Sequence, residues 1–92
     1  MSQESAETLA LSVLAWLAAN DELLPVFMGS TGTSEADLRS RAGDAEFLGS
    51  VLDFVMMDDS WIMAVCDAHR WEYTEIASSR AALPGGEQVN WT

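Results

Sequence analysis

Between Asp44 and His69 the chain reads DAEFLGSVLDFVMMDDSWIMAVCDAH, two apolar runs on either side of an acidic turn. Phe47, Val51 and Val55 recur at every fourth position, and Leu48, Leu52 and Phe54 widen the stripe. That period belongs to an α-helix with a broad buried face. The helix is expected to start at Asp44, whose carboxylate can accept hydrogen bonds from the unpaired amides of the first turn. Gly49 and Ser50 are small enough to let another helix approach closely. Asp58, Asp59 and Ser60 are each suited to cap the next helix. Its apolar face is Ile62, Val65, Cys66 and His69, with Trp61 and Ala68 alongside. So short a connection predicts antiparallel neighbours, and this central helical hairpin is expected to form the core.

The flanking chain adds further short helices. Residues 1–20 read as one, capped by Ser2 or Ser5, with Glu4 and Glu7 in its first turn and a stripe of Leu9, Val13, Trp16 and Leu17 extended by Ala6, Ala10 and Leu14. Asp21 is expected to open a second, DELLPVFM, ended by Gly29, with Pro25 tolerated near its start. Gly29-Ser30-Thr31-Gly32 reads as the clear loop. Ser34 then caps a third helix, EADLRSRA, ended by Gly43 and made locally cationic by Arg39 and Arg41. Thr74 is the expected cap of a last helix through Leu83, with Ile76 and Leu83 as a weak apolar face, stopped by Pro84-Gly85-Gly86. The architecture expected is all-α: an irregular bundle of five or six short helices around the hairpin. Residues 1–83 form one domain and 84–92 a flexible tail. Leu9, Val13, Trp16, Phe47, Val51, Val55, Ile62 and Val65 are the expected core.

Four segments carry a likeness: ETLALSVLAWLA (7–18), TGTSEADLRSRA (31–42), FLGSVLDFVMMDDS (47–60) and AALPGG (81–86). Together they resemble a small bacterial family, mostly alphaproteobacterial, known as domain of unknown function 3572. The resemblance implies no activity, cofactor or catalytic residue, because the family has none assigned.

Charge narrows the choice of partners. The 92 residues hold 15 Asp and Glu against four Arg and no Lys, a net charge of −11. Nucleic-acid affinity comes mostly from cations that displace counterions at phosphates, so nucleic acids and anionic membranes should both be repelled. The ordinary use of such acidity is a solvated surface, and the sharper one is a docking face for a basic partner. The apolar run Leu9–Ala19 lacks the cationic flank of a signal peptide and is too short to span a bilayer. A single Cys permits no intramolecular disulfide. A cytoplasmic protein is therefore expected.

Candidate chemistry is sparse. Cys66 and His69 share a helical face near Asp67 and Glu72, but a metal site needs at least three ligands and no second Cys or His exists. A Cys66–His69 nucleophile and base pair lacks a visible orienting group or oxyanion donor. Asp53, Asp58 and Asp59 lack the order of a Ca²⁺ loop, and GSTG lacks the Lys of a phosphate loop. The helix–turn–helix reading of 36–54 fails for want of cations in its second helix. Two surfaces suit contact with proteins: Met56 and Met57 with Trp61, and Trp71 and Tyr73 beside Arg70. Trp91 reads as inert. The expectation is a protein–protein interaction module, an adaptor, a regulator or a homodimer in self-association, with no enzymatic activity and no cofactor. The alternative is a metal-binding or enzymatic site at Cys66 and His69, and a third reading is an acidic mimic of nucleic acid.

Overall fold

The computed structural model describes residues 1–85, and among these it contains helices and no strands. Helix α1 (Gln3–Ala18) begins at Ser2, whose hydroxyl accepts the Ser5 amide hydrogen. The chain bends by 113° into α2 (Leu23–Thr31). The amides of Glu22 and Leu23 donate to the Asn20 side chain, so the side chain that satisfies amides at this end is Asn20 rather than Asp21. Its end also lies later than expected. Gly29, Ser30 and Thr31 continue the helix, and Gly32 stops it in the left-handed conformation at φ 72°. Helix-breaking residues here act by position: Gly32 alone occupies the left-handed terminus, and Thr31 Oγ1 donates back to the Phe27 carbonyl.

Ser34 caps α3 (Glu35–Ser40) and accepts the Asp37 amide, while its own amide donates to the Asp37 carboxylate at 3.0 Å. The bonds from Ser34, the backbone one first, hold the Asp37 carboxyl below its ordinary pKa. Asp44 caps α4 (Ala45–Val55) and Asp58 caps α5 (Asp59–His69), as their acidic starts require. The Asp58 carboxylate accepts both the hydroxyl and the amide of Ser60, which lowers its pKa. Helix α6 (Tyr73–Ala82) starts two residues earlier than a Thr74 cap would place it, because the Glu75 carboxylate accepts the Glu72 amide at 3.0 Å.

The all-α bundle is as the periodicity requires, but its centre is α1 and not the α4–α5 hairpin. Helix α1 packs against α4 on one flank and α6 on the other, and both junctions are broader than that between α4 and α5. A short loop makes two helices neighbours; the amount of face they share depends on the apolar residues each can bury. Helix α1 buries Ala6, Leu9, Ala10, Val13, Leu14 and Leu17, whereas α5 buries Ile62, Val65 and Cys66. Phe27 is the buried residue of α2 and lies edge-on to Phe47 and Phe54. Every expected core residue is buried except Trp16, which sits at the margin of the core.

The small residues of α1 let α6 come close. Ser79 is wholly buried there and its hydroxyl donates to the Ala6 carbonyl at 3.0 Å. Of the expected tail, Pro84 is half-buried with its carbonyl accepting from Arg80 and Gly85 is exposed, and the rest, with Trp91, lies outside the described residues.

Candidate interaction site

Helix α4 ends at Val55 with Met56 as its C-cap, and Met57 stands on the turn before Asp58. Met57 is 73 % exposed, the most of any large apolar side chain among the described residues. It lies on the lip of an open cleft of about 300 Å³, lined also by Ser30, Thr31, Ser50, Asp53 and Phe54. The cleft exists because α2 runs on through Ser30 and Thr31. Had the chain turned at Gly29, its far wall would be missing.

The expected partners of Met57 separate. Met56 is exposed beside it, but Trp61 is half-buried and stacks on Phe54 at 4.7 Å between ring centroids. Trp61 is thus tied to the cleft through Phe54 and is not one of the residues that line it. The second expected patch also divides. Trp71 stacks on His69 at 4.2 Å, whereas Tyr73 is exposed and its hydroxyl reaches the Asp59 carbonyl oxygen at 3.5 Å. Desolvation, then the nearby Asp59, Cys66 and Asp67, raise the Tyr73 pKa. Among the described residues the cation that lies over an aromatic ring is Arg41, 4.8 Å from the Phe47 centroid.

Cys66 and His69 face different tasks. Cys66 is buried in the core, and burial, then Glu75 and Asp67, push its thiol above the ordinary pKa. His69 Nδ1–H donates to the Val65 carbonyl at 2.8 Å, closing the last turn of α5. Among the described residues no group of three or more His, Cys, Asp or Glu converges to hold a metal ion. A buried, protonated thiol is a poor nucleophile. Cys66 should therefore react with a thiol reagent much more slowly in the folded protein than in denaturant, and its alkylation should rise only at a pH above that of a free thiol. Equal rates folded and unfolded would show an open path to the sulfur.

The spacing of residues did not disclose one cluster. Arg80 of α6 grips Asp53 of α4 through Nε at 2.6 Å and Nη2 at 3.1 Å, and donates from Nη1 to the Pro84 carbonyl at 3.1 Å. A Cβ at Gly49 would stand 3.0 Å from Arg80 Nη1, so this glycine makes the room for the guanidinium. Gly85 follows at φ 92°. The clasp ties the chain after α6 to the side of α4 that carries the cleft. Gly49 and Asp53, one turn apart, together with the PG pair were its signal in the sequence.

The exposed carboxylates lie on or beside every helix. No single described helix is long and apolar enough to cross a membrane. Residues 3–86 match the model of the family described as Protein of unknown function (DUF3572). No curated protein and no solved structure matches the chain. With nearly the whole chain covered, it belongs to the DUF3572 family.

Proposed function

We propose that this DUF3572 protein is a protein–protein interaction module, an adaptor or regulator and not an enzyme, and that it works through the corner where α4 meets α5. The observation that carries the reading is Met57, 73 % exposed on the lip of an apolar cleft. A flexible thioether beside such a cleft can seat a partner's side chain and adapt to its shape. Met56 is exposed next to Met57, and Phe54, buried and stacked on Trp61, lines the cleft. The alternative centred on Cys66 and His69 has less support, since the thiol is buried and His69 Nδ1 is taken by its own helix.

A benzophenone amino acid placed at position 57 in the producing cell tests this. Irradiation should yield a discrete adduct that is missing when the same group replaces Leu11, exposed on α1. An adduct at twice the chain mass would identify a second copy, and another mass would identify a different protein. Labelling at 57 no more discrete than at 11 would sink the proposal.

A further inference from the structure

Helix α5 is covered on one side only. It buries Ile62, Val65 and Cys66 and exposes Asp59, Ser60, Met63, Ala64, Asp67 and Ala68. Positions four apart line up along a helix. The exposed side is therefore two adjacent rows: Asp59, Met63, Asp67, and Ser60, Ala64, Ala68. The second row is a shallow channel of small side chains, where another helix can come close. The first row is a ridge along its edge, with Met63 53 % exposed between two carboxylates. Tyr73, 47 % exposed, flanks the ridge from α6 with its hydroxyl at the Asp59 carbonyl.

Charge decides what can lie there. The ion pairs among the described residues are Arg41–Asp44 and Arg80–Asp53, and neither involves Asp59 or Asp67. The nearest cationic side chain in sequence is Arg70, past the end of the helix, and the His69 ring between is stacked on Trp71. A second copy laid on this face would set carboxylate against carboxylate in either direction, on a chain already at −11. Nucleic acids and anionic lipid headgroups meet the same repulsion. A helix that carries cations is attracted instead, and its apolar side chains find Met63 and the alanine methyls.

We infer that the outer face of α5 docks a cationic amphipathic helix of a partner protein, with Ala64 and Ala68 at the closest approach, Met63 as the apolar contact, and Asp59 and Asp67 each meeting a Lys or Arg. Eight residues separate the two acids, so the partner's cations stand about two turns, or roughly 12 Å, apart. The inference rests on the interaction reading above and supplies the partner's chemistry, but it uses a face other than the Met57 cleft.

The probe is a synthetic leucine–lysine helix with two lysines seven residues apart on the edge of its leucine face. It is titrated into the full chain at low and at physiological salt, followed by calorimetry. Saturable one-to-one binding is expected. The double variant Asp59→Asn, Asp67→Asn and the variant Ala64→Arg should each weaken it about tenfold or more, while melting like the parent. The control Glu4→Gln, Glu7→Gln removes as much charge from α1 and should change affinity less than about twofold. Equal losses in the control would reveal unspecific attraction and overturn the inference, as would failure to saturate. Loss with Met57→Ser but retention with Ala64→Arg would also overturn it and move the peptide to the cleft. No peptide binding together with a discrete adduct from position 57 would leave the interaction reading standing and end this one.

Discussion

Replacing Phe27 with Ala lowers the stability of the protein by about 3–5 kcal/mol. Phe27 is wholly buried, with its ring edge-on to Phe54 at 5.2 Å and to Phe47 at 6.2 Å. Elsewhere α2 touches the core only through Leu23, Leu24 and Met28, all partly buried. The truncation therefore opens a cavity between α2 and α4 and removes the anchor of α2. A domain of this size loses about 4–8 °C of melting temperature per kcal/mol, so thermal denaturation should show a fall of more than about 10 °C. Because Phe54 also stacks on Trp61, indole fluorescence should report the change. Phe47→Ala should cost a similar amount. Since the two rings touch, the double variant should depart from additivity by about 0.5–1.5 kcal/mol. Near-parental melting of Phe27→Ala would mean that α2 is held by something else, and the wall of the cleft with it.

Ser79→Leu should cost about 1–3 kcal/mol from overpacking, in addition to about 1 kcal/mol for the lost hydrogen bond. Ser79 is wholly buried where α6 crosses α1, opposite Ala6, and its hydroxyl spans the junction to the Ala6 carbonyl. Leucine has no room there unless the helices part. Ser79→Ala separates the two terms: it keeps the fit, removes the bond and should cost only about 1 kcal/mol. Chemical denaturation of both variants checks the order. Leucine tolerated as well as alanine would mean that α1 and α6 are not in close contact, and would remove α1 as the centre of the bundle.

Neither site was visible in the hydrophobic pattern, and the reason differs. Phe27 stands in the apolar run DELLPVFM, but a single aromatic in a short segment does not say which rings it will meet. Ser79 reads as a surface position, because a hydroxyl in a weakly apolar helix looks solvated. Its burial depends on the carbonyl of a residue 73 positions away. The same holds for Arg80, whose partners Asp53 and Pro84 come from different parts of the chain. The interaction residues follow suit. Met57 and Tyr73 were legible as candidates, but the pattern grouped each with a Trp that packs inward.

The amino-acid sequence by itself determined the all-α class, most helix starts and, Trp16 apart, the burial of the residues expected in the core. Those features depend on period and on capping groups within a turn of where they act, so local chemistry suffices. Only the tertiary structure decided that α1 is the centre, that α2 runs past Gly29 to form a cleft wall, and that one side of α5 stays uncovered. Each of these depends on which apolar faces find one another across the chain, and that is settled by the area they bury together, a quantity no local stretch contains.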